Sequence, residues 1–271
     1  MDPLDDTAAA AARAALAGAV AMTAGASVSV VVSLALIALA LPAAWTLPMR
    51  APAVRAEPSP SVVADLVAGF AAIGRARPLA RATLTSVVSY VGVGMLVTCT
   101  PLLGERVLGS TGSGTFLLAA LAATSLLANA LLARRPGLLR PDATILGSVL
   151  ALALALLLAA TLSPLALFAA MAVAGAAEGP QLTALFAVRH REAPDRLRGQ
   201  IFTTGASLKI TGFAIGAGLG GPVATWSLSG SLLVAAGCEV LAALSFVLLT
   251  VLPVRHSDAP SSHASRARVQ P

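Results

Sequence analysis

Five stretches of the chain, 14–49, 82–104, 107–133, 143–188 and 199–254, hold only three charged side chains between them: Glu178, Lys209 and Glu239. A helix rising about 1.5 Å per residue crosses a hydrocarbon core about 30 Å thick in roughly 20 apolar residues, and each stretch is long enough for one or two crossings. The whole composition agrees, with 57% hydrophobic residues, 11% charged residues and a mean hydropathy of +0.87, far from a soluble globular chain. The sequence therefore reads as an all-α, polytopic, multi-pass protein whose first partner is the lipid bilayer.

Laying the 20-residue ruler along the chain predicts about eight transmembrane helices. Residues 1–13 form a cytoplasmic N-terminal segment, and 14–48 hold one short and one full span, broken near Thr23–Ser27. Residues 49–80 are a cytoplasmic linker: the Pro-rich APAVRAEPSPS precedes SVVADLVAGFAAIGRARP, which reads as a short amphipathic helix. Residues 81–254 form a six-helix bundle. Its first two spans are flanked by Arg81, by Glu105 with Arg106, and by Arg134 with Arg135; later pairs hinge at Ser163–Pro164 and between Pro222 and Gly230, with Trp226 as an interface anchor. Residues 255–271 read as a disordered cytoplasmic tail. If the first segment only lies on the surface, the count is seven.

The arginines support this count, because basic residues collect in cytoplasmic loops. Arg50, Arg55, Arg75, Arg77 and Arg81 mark one loop, Arg134, Arg135 and Arg140 the next, and Arg189, Arg191, Arg196 and Arg198 a third; intervening loops offer only Arg106. Eight spans then place both termini on the cytoplasmic side of the cell membrane. A net charge of +6 laid out this way, with few aromatics interleaved, is a topology signal and argues against nucleic acid. Cys99 and Cys238 lie inside apolar segments, which indicates neither a disulfide framework nor a thiolate metal site. The acidic start, MDPLDDTAAAAARAAL, lacks the basic n-region of a cleaved signal.

An ionisable group at mid-membrane costs about 2.5–3.5 kcal/mol on insertion scales, which makes each one a functional candidate. Glu178 lies eleven positions before Arg189 and Lys209 eleven after Arg198, so both sit roughly 15 Å deep and can meet. Tyr90, nine positions beyond Arg81, reaches a similar depth. Pro180 removes a backbone donor and crowds the carbonyl of Ala176, predicting a kinked or broken helix at AEGPQ, with Gln181 on the face of Glu178. Lys209, Gly212, Gly216 and Gly220 fall at helical spacing, a small-residue stripe on which another helix packs closely. Three readings of the Glu178–Lys209 pair stand: a substrate or proton site, a structural ion pair locking two helices, or side chains that snorkel toward the lipid surface. Glu239 is a further possible coupling residue, or a protonated packing contact.

Two segments carry a family resemblance: the inside loop closing in GRARPLARATL, and RHREAPDRLRGQIFTTGASLKITGFAIGAGLGGPV. With the span pattern from about Ala14 to Val254, the chain resembles bacterial efflux members of the major facilitator superfamily of secondary transporters, from their fifth helix to their twelfth. ANALLARRPGLLRPD resembles a degenerate copy of the family's basic loop motif without its acidic residue. The resemblance implies a complete C-terminal six-helix half, with the helices of Tyr90, Glu178 and Lys209 lining a central cavity and that of Glu239 peripheral. The family's first four helices have no counterpart, which implies an N-terminally truncated chain or a partner supplying the missing helices.

Other motifs fail on their context. Gly216, Gly218 and Gly221 spell GxGxxG, but an apolar helix precedes them where a dinucleotide site requires a strand. No phosphate loop surrounds Lys209, the three histidines lack a second ligand at metal spacing, and no G-x-S-x-G elbow presents a nucleophile. The expectation is a non-enzyme without cofactor or metal that moves a small organic molecule by secondary active transport, with proton-coupled efflux by antiport implied by resemblance. The alternative is a non-transporting membrane remnant or interaction subunit that packs through its glycine-rich helix.

Overall fold

The computed structural model describes residues 62–251 except 111, 136 and 138, together with six helical positions between 31 and 42. The expected N-terminal segment, most of the first two spans, the Pro-rich linker and the tail lie outside the described residues. Seven α-helices follow in order: α1 (Val62–Arg75), α2 (Arg77–Leu108), α3 (Ser113–Arg134), α4 (Pro141–Ala160), α5 (Pro164–Glu192), α6 (Arg198–Trp226) and α7 (Leu228–Val251). A 3-10 turn, Asp195–Leu197, links α5 to α6, and no strand occurs among the described residues. Helix α1 falls where the amphipathic segment was expected.

Five of these helices, α2, α3, α4, α5 and α7, are long and apolar enough to cross a membrane. The expected six-span bundle thus loses one member by this measure. Helix α6 has the length, at 29 residues, but seven glycines and Lys209 lower its apolarity. Large apolar side chains such as Leu127, Leu131, Leu154 and Leu248 stand exposed on the outside of the bundle, the surface a bilayer would solvate.

Two features differ from the sequence reading. The pair Glu105–Arg106 does not end a span; α2 continues to Leu108 and turns at Gly109, whose φ of 79° lets its N–H and that of Ser110 close onto Glu105 and Gly104. Pro180 does not break α5, which runs on as one continuous helix; Pro222 also lies inside its helix, and the chain turns at Ser227, within the stretch from Pro222 to Gly230 where the hinge was expected. A proline removes one backbone bond, which a helix held by its neighbours tolerates. The turn at Ser163–Pro164 stands as expected, with Leu162 at a φ of 54° and Pro164 opening α5.

The packing has an internal symmetry. Helix α2 packs along α6 and α7, and α5 along α3 and α4; α4 meets α7, and α2 touches α5 at the centre. Exchanging the triplet α2–α4 with α5–α7 maps these principal contacts onto themselves, although the contact of α6 with α7 has no counterpart between α3 and α4. Because each triplet has an odd number of helices, the two run in opposite directions through the bundle.

One end of the bundle gathers the arginines. Arg81 at the start of α2 pairs with Asp142 in the first turn of α4, donates to Thr250 Oγ1 at 3.0 Å and lies 4.5 Å from the ring of Phe246 on α7. Arg191 at the end of α5 reaches the same Asp142 at 3.8 Å. Four helix ends are therefore tied together at this arginine-rich end.

Candidate functional site

The three charged residues of the apolar blocks come from three helices, α5, α6 and α7, and all converge on one turn of α2. Tyr90 faces Glu178 and Lys209; its neighbour Ser89 faces Gln181 and Glu239. Consecutive helical residues point about 100° apart, so one turn of α2 serves both clusters.

On the Tyr90 side, the phenol donates to Glu178 Oε1 at 2.9 Å, and Lys209 Nζ stands 3.7 Å from the centroid of the same ring. Phe213, one turn along α6 from Lys209, packs against Tyr90 at 6.2 Å between centroids. Lys209 and Glu178 were expected to meet directly, yet no ion pair joins them: Tyr90 stands between, because α2 separates α5 from α6 at this level. A desolvated cation over an aromatic face gains about 2 kcal/mol, comparable with the insertion cost of a lysine at mid-membrane. Lys209 is 6% exposed, so this contact sits out of water, whereas Glu178 and Tyr90 are half-buried.

On the Ser89 side, Gln181 Nε2 donates to Ser89 Oγ at 3.3 Å. Gln181 thus shares a helix with Glu178 and reaches the same turn of α2 by a separate contact. Glu239 is fully buried, and neither carboxyl oxygen has a partner in bonding geometry, Ser89 being the polar group beside it. Its space is made by Gly92, where a Cβ would lie 3.0 Å from Glu239 Oε1 and 2.8 Å from the carbonyl of Ala235. The helix expected at the periphery therefore turns its acid inward.

The glycine stripe explains how Lys209 is brought onto Tyr90. Gly212 lies against the carbonyl of Val87, Gly216 against that of Val91, and Gly220 against Met95; from the other side, Gly94 of α2 lies against the carbonyl of Phe213. Any side chain at these positions would push the two backbones apart. The symmetry-related contact is built alike, with Gly175 and Gly179 of α5 against Leu121, Thr124, Ser125 and Asn129 of α3. Pro180 follows directly on that close contact.

Sequence reasoning missed Ser89, Gly92 and Arg189. Ser89 and Gly92 carry no signal until the helices are rotated into place. Arg189 was read as one of several loop arginines, yet it is among the largest fully buried side chains, while Arg191 two positions on is half exposed. A shallow groove between α4 and α5, lined by Thr144, Ser148, Val173 and Ala176, is apolar and offers no charged group. The chain matches no protein-family profile, no curated protein and no solved structure.

Proposed function

We propose that this protein is a secondary active transporter of the facilitator type, moving a small organic molecule across the cytoplasmic membrane in exchange for protons. The observation that carries this reading is the Lys209–Tyr90–Glu178 chain: three polar groups from three helices, joined at mid-depth around a half-open tyrosine. Charged residues inside a membrane persist where they serve a pathway, and facilitator-type folds place such sites at the interface of inverted repeats. The exchange symmetry of α2–α4 with α5–α7 supports the same reading.

In this mechanism the bundle rocks against a second one around the fixed polar layer. Protonation of Glu178 removes the charge that Tyr90 bonds, loosens the hold of the ring on Lys209 and biases the two states, so that proton and substrate compete for one site. The rival reading, a membrane subunit docking through its glycine helix, has less support, since Val87, Val91 and Met95 already occupy that stripe.

The test is flux in vesicles containing the purified chain, with an imposed proton gradient and a broad panel of organic solutes. Solute movement that follows the gradient and stops with an uncoupler supports transport. Silence across the panel, from a correctly inserted protein, favours the non-transporting reading.

A further inference from the structure

Arg189 closes the last turn of α5 and is 1% exposed, yet its Nε and Nη2 bond to nothing and no carboxylate pairs with it among the described residues. Its guanidinium lies flat against the backbone of α6 at Gly205: a Cβ there would stand 2.7 Å from Arg189 Cζ and 3.0 Å from Nε. Gly205 is one helical turn, about 6 Å, from Lys209 on the same face of α6. The two cations feel one another's charge, and the ring of Phe202 lies 5.9 Å from the guanidinium carbon of Arg189. Lys209 has Tyr90 on one side, but the carboxylate that acts on it among the described residues, Glu178, already accepts from the Tyr90 phenol.

Burying a cation costs several kcal/mol unless an anion or hydrogen bonds compensate, and here Arg189 has no acid paired with it while Lys209 has only Glu178, held at a distance. A guanidinium with free donors is built for planar anions, and an ammonium supplies a second point charge. We propose that Arg189 and Lys209 together bind the anionic group, a carboxylate or a phosphate, of the molecule this protein handles. This rests on the transport reading for its physiological meaning and names the class of substrate as an organic anion. Entry is from the arginine-rich side, since Arg189 lies at that end of α5 and Lys209 deeper.

The experiment uses the full chain in phosphatidylcholine nanodiscs and follows thermal unfolding with benzoate, with inorganic phosphate and with benzamide, the uncharged counterpart of benzoate. The expected result is a saturable rise in Tm with at least one of the anions and none with benzamide, weakened at least tenfold in apparent affinity by Arg189→Gln and by Lys209→Met. Gly205→Ala, which keeps both charges and displaces the guanidinium, should also weaken binding, and Arg189→Lys should retain part of it. No saturable shift with either anion in the wild type overturns the proposal whether or not the variants fold; so does binding that Arg189→Gln leaves unchanged. Loss of benzoate binding in phosphatidylglycerol nanodiscs supports the anion site and identifies a lipid headgroup as its occupant. Anion binding without any vesicle flux keeps this site while removing the transport reading. Flux of uncharged or cationic solutes without anion binding does the reverse.

Discussion

The Tyr90 hydroxyl donates to Glu178 at 2.9 Å while its ring lies 3.7 Å beneath the Lys209 ammonium. One side chain thus links two opposite charges that do not touch. The coupling passes through a phenol that can be altered at either end, which separates the two contacts experimentally.

Tyr90→Phe removes the donor and keeps the ring; Tyr90→Leu removes both. A hydrogen bond to a charged group is worth about 1.5–3 kcal/mol, and a desolvated cation–ring contact about 2 kcal/mol. Thermal unfolding in detergent should therefore show a loss of roughly 2 kcal/mol for Tyr90→Phe and roughly 4 for Tyr90→Leu. Combining Tyr90→Phe with Glu178→Gln should cost less than the two changes added separately, and strict additivity would remove the link between them.

Glycines along α6 should divide sharply by position. Gly216→Leu drives a side chain into the carbonyl of Val91 and should cost at least about 3 kcal/mol or prevent assembly. Gly218, only two residues on, has open space around it, and Gly218→Ala should be neutral or stabilising by up to about 1 kcal/mol. Comparing the unfolding midpoints of the two variants checks the helix rotation that sets Lys209 over Tyr90.

At the arginine-rich end, Asp142→Asn should lower stability by about 1 kcal/mol, a discounted figure because Asp142 is 43% exposed. Arg81→Ala should cost more, about 2–3 kcal/mol, since Thr250 and the Phe246 ring lose their partner as well. Unfolding midpoints of the single and double variants should be non-additive.

Labelling from the two sides of the membrane tests the orientation. A cysteine replacing Asp195, beside the arginine cluster, should react with an impermeant reagent only from the cytoplasmic side, and one replacing Ser227, at the far end of α6, only from outside. Labelling of both from one side contradicts the crossing of α6.

Much of the fold was legible because lipid is an exacting solvent: charge-free blocks admit few alternatives, and the blocks containing Glu178, Lys209 and Glu239 became α5, α6 and α7. Depth was legible too, since counting from Arg81, Arg189 and Arg198 brought Tyr90, Glu178 and Lys209 to one level. Rotation was not. Residue spacing could not show that α2 passes between α5 and α6, which replaces an ion pair by a tyrosine bridge. Nor could it show that Glu239 faces Ser89, or that Arg189 is buried where Arg191 is exposed. Helix ends went astray where a local rule met a tertiary one: Glu105–Arg106 looked like a loop but fits the exposed last turn of α2, and Pro180 looked like a break but lies in a helix held by Gly175 and Gly179.

The most direct measurement is proton-driven flux by vesicles carrying the wild type, Lys209→Ala and Glu178→Gln at matched, verified insertion. A transport site predicts gradient-dependent flux in the wild type and its loss in both variants, with the helical content and membrane insertion of each unchanged. Full flux in both variants, or variants that fail to fold while the wild type moves nothing, would contradict the account and leave the polar layer a structural clasp.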